Sequence, residues 1–263
     1  MANEKTGSAP QKTPNNVIKS VETSISIIES LKQKKTAQVS EIAEATGGSK
    51  GNVSKHLNTL AKHNFVTKTE NGYELGLRYL DLGGFVREKL PESRVIKPKV
   101  LELAAETGEV AQFSVESSGK SVVVYRESGQ QGVSTRTRVG RHLPLHQVAS
   151  GKAMLAHMPE KRVDEIIETH GLEAATENTI TEREALFNEL EEVRQRGYAT
   201  NDAESTKGLY AIAAPIRTSD NQLIGACSIS GPSHRMRGGN NIDQTSEILL
   251  SFVNEIELNL TYS

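Results

Sequence analysis

The sequence predicts an α+β protein in two parts: a small winged helix-turn-helix at the amino end and a larger α+β domain behind it, joined by a linker helix. Three observations predict this. Gln38–Leu60 (QVSEIAEATGGSKGNVSKHLNTL) holds two short amphipathic patterns broken by a glycine pair. A hairpin signal, Asn71-Gly72 between two short strand patterns, follows directly. From Ser93 onward strand-like and helix-like runs interleave, as in a sheet flanked by helices.

At 263 residues the chain suffices for two domains. Its 36% hydrophobic and 24% charged content is that of a soluble globular protein. No apolar run reaches bilayer-spanning length, so no membrane partner is expected. The first residues, MANEKTGSAPQKTPNN, are polar and unlike a signal peptide. Residues 1–15 are therefore expected to be a disordered arm, and the protein cytoplasmic. The single cysteine, Cys227, excludes an internal disulfide framework and a multi-cysteine zinc site. It lies in an apolar strand pattern, which predicts a buried, inert thiol. The net charge of −2 hides an asymmetry: through Leu90 there are 13 basic and 9 acidic residues, and beyond it 18 and 24. A basic front suggests that a polyanion is met at the amino end.

Residues 16–76 carry the predicted reader. Asn16–Lys32 is an amphipathic helix through Val17, Val21, Ile25 and Ile28, widened by Ile27 and Leu31. Lys32–Lys35 follows as an exposed basic turn. Val39–Ala45 is the next helix, seeded by Ser40, with Ile42 and Ala43 inward. Thr46-Gly47-Gly48 stops it, because glycine enters the left-handed conformation without a steric penalty. Ser49 caps the following helix. There Val53, Leu57, Leu60 and Ala61 form one apolar stripe. The opposite face presents Lys, Asn, Ser and Thr, side chains that meet phosphates and base edges in a major groove. Ser49, Lys50, Gly51, Asn52, Ser54, Lys55 and Asn58 are the candidate DNA-binding residues of this helix. Taken alone, it equally fits a solvated amphipathic helix. Phe65-Val66 and Tyr73–Leu75 then form a hairpin through Asn71-Gly72, which makes the helices a winged helix-turn-helix. Lys68 on the wing is a further candidate phosphate contact.

Residues 77–92 are read as a linker helix, with a stripe through Leu77, Leu80 and Phe85 and Pro91 as its stop; the alternative is that it packs on its own domain. Residues 93–263 form the second domain. A helix over Arg94–Thr107 ends at Gly108. Strands are expected at Val110–Glu116, Ser121–Glu127 and Val133–Val139, and helices at Ala149–His157, Glu160–His170 and Glu182–Arg196. Strands Ala211–Arg217 and Leu223–Ser230 and a helix over Asp243–Leu260 complete it. No internal repeat is present.

The order of these elements and many short strings resemble the IclR family of transcriptional regulators from Val17 to Leu260. In the reader the resemblance rests on VSEIAEATGGSKGNVSKHLNTL and YELGLRYLDLG. In the second domain it rests on ETGEVAQFSV, VGRHLPLHQVASGKAMLAHMP, GLEAATENTITEREAL, RQRGYATNDAESTKGLYAIAAPI and SISGPSHR. The resemblance implies a GAF-like effector-binding domain behind the linker helix, a homodimer or dimer of dimers, and a palindromic double-stranded DNA operator. Gly51 and Lys55 depart from the family, which commonly has arginine at Lys55. A lysine there favours a point-charge phosphate contact over a bidentate guanine contact.

Around Leu143–Leu155 (LPLHQVASGKAML), a helix starting near Ala149-Ser150-Gly151 would present free N–H groups to an anion. Gly151 would either admit a ligand to the backbone or allow close packing. A P-loop reading fails, since His146 stands where glycine is required and Ala153 where Ser or Thr is. On Leu223–Ser230 the alternation puts Ile224, Ala226, Ser228 and Ser230 on one face, while Ala211 and Ala213 leave room for a ligand. The resemblance implies an effector pocket at Ala149, Ser150, Asn201, Ala211, Ser228 and Ser230. The family usually has an acidic residue at Asn201 and often a cysteine at Ala211. An uncharged Asn201 suggests a sugar, sugar acid or organic acid held in a different pattern. Arg136, Arg138 and Arg141 could draw an anion inward, but alternate residues on an exposed strand are more often surface charge. His142 and His146 lack a third ligand at metal spacing, so no metal site and no cofactor are expected.

A ligand-responsive DNA-binding regulator of a catabolic gene cluster, activator or repressor, is the reading that emerges. The alternatives are an enzyme or a protein-interaction module with the winged helix as a tether. No catalytic residue is assigned, because no nucleophile–base pair or carboxylate pair stands out.

Overall fold

The computed structural model describes residues 16–90, 92–133, 137–238 and 241–262. The expected arm over residues 1–15, Pro91 and Arg136 lie outside them. The chain divides into two compact units between Lys89 and Leu90.

The first unit contains α1 (Lys19–Lys34), β1 (Thr36–Ala37), α2 (Val39–Thr46), α3 (Lys50–Lys62), β2 (Val66–Thr69), β3 (Gly72–Leu75) and α4 (Arg78–Glu88). Ile27 and Leu31 of α1, Ile42 of α2, and Val53 and Leu57 of α3 are completely buried against Ala37, Val66 and Tyr73. The expected α1 stripe divides: Ile27 and Leu31 form the core, whereas Val21 and Ile25 are 51% and 54% exposed. Helix α2 starts from Gln38 rather than Ser40. Gln38 and Glu41 form a reciprocal capping box, and Gly47 ends the helix at φ 66°.

The wing is a three-stranded sheet, β1-β3-β2, because Thr36–Ala37, to which the sequence assigned no element, joins it. Most of the expected turn at Lys32–Lys35 is instead the end of α1, which runs to Lys34. Thr69 pairs with Gly72, so Glu70 and Asn71 are the loop residues, one position earlier than expected. Gly72 has φ 131°, and a Cβ there would overlap the Ala37 carbonyl. Glycine at this position lets the third strand approach.

The second unit contains α5 (Ser93–Thr107), β4 (Val110–Ser117), β5 (Lys120–Ser128), β6 (His142–Pro144), a 3-10 turn (Leu145–Gln147), α6 (Ala149–Leu155), α7 (Glu160–His170) and α8 (Arg183–Arg196). It continues with β7 (Ala199–Asp202), β8 (Leu209–Arg217), β9 (Leu223–Pro232), α9 (Ser233–Met236) and α10 (Asn241–Thr261). Six antiparallel strands run in the order β6-β5-β4-β9-β8-β7.

Alternation along the strands feeds two cores. Phe113, Ile212, Cys227 and Ile229 pack with Ile96 and Leu103 of α5 and Leu249 and Ile256 of α10. Ala211, Ala213 and Ala226 face α6, α7 and α8 through Met154, Val163, Leu186 and Leu190. Small alanines on this second face leave space above the sheet.

Two expectations for this unit are corrected. The described residues of Val133–Val139 form no strand, and β6 and β7 supply the outer strands instead. Ile224 leaves the face of Ala226 because it is the extra residue of a bulge: Gly225 pairs with Ile216 and Leu223 with Arg217. It packs on the α5/α10 side. Among the described residues no helix is long and apolar enough to cross a membrane.

Candidate functional site

Two sites emerge, one in each unit. Helix α3 stands on Val53 and Leu57 and turns Lys50, Gly51, Asn52, Lys55 and Asn58 outward; Ser54 is half-buried. Ser49 Oγ accepts from the Asn52 N–H at 3.3 Å, so this hydroxyl serves the cap. A Cβ on Gly51 would meet nothing within 4 Å, which leaves an open gap at the start of the helix. Lys68 is exposed on β2, opposite Tyr73. One contact escaped the sequence reading: Ser24 Oγ and His56 Nδ1 lie 2.8 Å apart and tie α3 to α1.

The second unit holds a cleft of about 800 Å³ on the sheet face carrying Ala211. All six residues named for the effector, Ala149, Ser150, Asn201, Ala211, Ser228 and Ser230, line it. Ala149 and Ser150 lie in the first turn of α6, and Ser150 Oγ is 3.3 Å from Ser121 Oγ. Asn201 is 2% exposed. Its Nδ2 donates to the Gln147 carbonyl at 2.7 Å and to Ser205 Oγ at 2.9 Å, and its Oδ1 accepts from the Glu204 N–H at 2.9 Å. Asn201 therefore spends much of its amide on holding the loop after β7 against the 3-10 turn.

Gly151 belongs to packing. A Cβ on it would overlap the backbone of Leu145, so the glycine seats α6 on the 3-10 turn. Its neighbour Lys152 is 1% exposed. Lys152 Nζ donates to Glu204 Oε1 at 2.8 Å and to Glu189 Oε1 at 3.3 Å, and Arg196 completes the cluster through Glu189 at 2.9 Å. Burial holds the Glu204 carboxyl above its ordinary pKa, against the pull of Lys152. Glu204 also accepts from the Thr179 hydroxyl at its carbonyl, so α6, α8 and the cleft loop share one buried network.

The two histidines do different things. His146 is buried with Nε2 3.0 Å from the Glu173 carbonyl, and burial lowers its pKa. His142 is exposed and lines the cleft. Among the described residues no group of three or more His, Cys, Asp or Glu side chains could hold a metal ion. Arg141 lines the cleft, whereas Arg138 is exposed outside it.

Sequence reasoning missed Gln112 and Ser114 of β4 and Lys207 of the loop, all of which line the cleft. A signal for the first two was available: they are polar positions at i and i+2 that alternate with the apolar Ala111, Phe113 and Val115 of β4. The described lining carries Arg141 and Lys207 and no carboxylate. Lys207 Nζ is paired with Glu177 at 3.3 Å, so it is Arg141 that biases the cleft toward an anion over a cation.

Residues 88–258 match the family described as bacterial transcriptional regulator IclR C-terminal, and residues 22–68 match the bacterial regulatory protein, arsR family. The chain is 28% identical over 223 residues to the HTH-type transcriptional regulator XynR of Escherichia coli (strain K12), a match covering 84% of this chain and 88% of that protein. The crystal structure of the Thermotoga maritima IclR superposes with a TM-score of 0.74 at 29% identity, covering 92% of this chain and 97% of that one. An IclR homologue from Microbacterium hydrocarbonoxydans, complexed with 4-hydroxybenzoate, shares the fold with a TM-score of 0.78 at 24% identity, over 93% of this chain and all of that one (100%).

Proposed function

The chain belongs to the IclR family of bacterial transcriptional regulators, and from that premise we propose how its two units divide the work. The protein is a ligand-responsive, DNA-binding regulator of transcription, as its relatives are, and not an enzyme. In the proposal, residues 16–76 read DNA, 77–92 link, and 93–263 sense the effector. Helix α3 enters the major groove of a palindromic operator with Lys50, Asn52, Ser54, Lys55 and Asn58, and Lys68 touches phosphate from the wing. Gly51 lets the backbone come near the DNA, and Ser49 holds the helix start.

The effector, a sugar, sugar acid or organic acid, lies in the cleft against Ala149, Ser150, Asn201, Ala211, Ser228 and Ser230. Its binding reports on a catabolic gene cluster in the cytoplasm. The observation that carries this reading is that six residues scattered from position 149 to 230 line one cleft whose described lining holds cations and no carboxylate.

A homodimer is part of the proposal. Val21 and Ile25 on α1 and Leu80, Phe85 and Val86 on α4 are apolar and between 51% and 74% exposed. Stripes of this kind in a regulator reading a two-fold site suit a self-complementary interface.

Mobility shifts on the intergenic DNA beside the gene, with and without candidate acids, test the scheme. A shift that an acid reverses or strengthens, and that Ser228→Ala makes insensitive to the acid, is expected. No shift at any salt concentration would instead favour an interaction module.

A further inference from the structure

The effector cleft has more polar floor than the six named residues account for. Gln112 and Ser114 are 9% and 1% exposed, and Ser228 and Ser230 are 8% and 6% exposed. All four line the cleft. Among the described residues none of the four makes a side-chain hydrogen bond, and none is among the unpartnered polar atoms shut off from solvent, so their polar atoms open onto the cleft. Register shows how they are arranged. Gln112 pairs with Ser228, Val110 with Ser230 and Ser114 with Ala226. The row Ser230–Ser228–Gln112–Ser114 therefore crosses diagonally from β9 to β4 and spans about 14 Å at ordinary strand spacings.

The two ends of this row differ. At Ser230 the neighbour across β8 is Ala211, in turn opposite Asn201. At Ser114 the neighbour across β5 is Val123. The Val123 N–H donates to the Arg141 carbonyl at 3.1 Å, which brings Arg141 to that end.

We propose that Gln112 and Ser114 form a second half of the effector cleft that reads hydroxyl groups, so that the effector is an elongated polyhydroxylated acid and not a short keto acid. An amide and a hydroxyl each donate and accept. A polyol chain offers both roles at successive carbons, whereas a keto acid only accepts: it can meet the Gln112 Nε2 and Ser114 Oγ donors but leaves Gln112 Oε1 without a donor. An apolar ring over this floor would leave both groups dry and unpaired. The inference rests on the cleft being the effector site.

The full-length protein is titrated by calorimetry with gluconate, xylonate and galacturonate, and with pyruvate and benzoate as acids without a polyol chain. Gln112→Leu and Ser114→Ala are compared with Ser228→Ala, and the free proteins are melted alongside. At least one sugar acid is expected to bind. Its affinity should fall tenfold or more in both Gln112→Leu and Ser114→Ala, while the melting temperature of the free protein is unchanged or rises, since neither side chain has a protein partner to lose. Ser114→Ala, the smaller change, carries the test if Gln112→Leu folds poorly. Sugar-acid binding indifferent to both changes, or pyruvate or benzoate bound in preference, overturns the second half; loss of that binding in Ser228→Ala would then leave the cleft standing as the effector site. Absence of binding by all five acids overturns the inference and the cleft reading together.

Discussion

Lys152 is the residue whose environment departs furthest from what its neighbours in sequence suggest. Lysine is almost never fully buried without a partner, and here the partners are Glu204 and Glu189. Removing the cation strands a buried carboxylate, so Lys152→Met is expected to cost about 3–5 kcal/mol of stability. The loss should depend on pH. A carboxyl whose folded-state pKa lies above its unfolded value binds its proton more tightly in the folded protein, so stability falls as pH rises through the window between the two. Burial raises Glu204, and loss of Lys152 raises it further. Melting of the variant should show a smaller deficit at mildly acidic pH, where Glu204 can be neutral, than at alkaline pH; equal deficits would mean that the charge on Glu204 is not what destabilises it. Cys227 is a simpler case. Burial pushes its thiol up to about 12, so a thiol reagent at neutral pH should label it only when the domain unfolds.

At the scale of the element, α3 and α6 respond to substitution differently. Lys55 projects from α3 and is expected to act on DNA as a point charge. Lys55→Ala should weaken operator binding about equally across operator sequences and lower the slope of log affinity against log salt by about 1. Mobility shifts over a salt series check this, and an unchanged slope would move the reading face elsewhere. Gly51 costs α3 roughly 1 kcal/mol relative to alanine, and nothing within its own unit fills the space beside it. Gly151 is the opposite case, packed against the Leu145 backbone. Gly151→Ala must push α6 off the 3-10 turn, and a loss of about 1–3 kcal/mol or more is expected in denaturant titration. Effector binding should fall with it, because Ala149 and Ser150 ride on the same helix.

For the whole molecule, the exposed apolar stripes on α1 and α4 are the feature that a single chain leaves unexplained. Leu80 is 74% exposed, so Leu80→Glu removes little packing within one chain. If these stripes form the homodimer, sedimentation should show Leu80→Glu shifted toward monomer with its melting temperature nearly intact, and operator affinity should drop because two half-sites no longer bind as one. A variant that stays dimeric and binds DNA normally would remove α4 from the interface.

The sequence by itself determined the α+β class, the helix pair and wing of the reader, the order of most elements in the second unit, and the family. These follow from local signals: hydrophobic period, glycine stops, caps, and the spacing of short strings. Only the tertiary structure decided matters that depend on what lies across a gap. It added β1, β6 and β7, too short to show a period of their own. It divided the α1 stripe into a core face and an exposed face, because periodicity marks apolar positions without saying which of them finds a partner. The β9 bulge turned Ile224 over. Gly151 proved to be a packing contact, Asn201 a brace for its own loop and Lys152 a buried cation, since each is defined by residues far away in the chain. Gln112 and Ser114 joined Ser228 and Ser230 only through strand register, which brings together side chains more than a hundred positions apart.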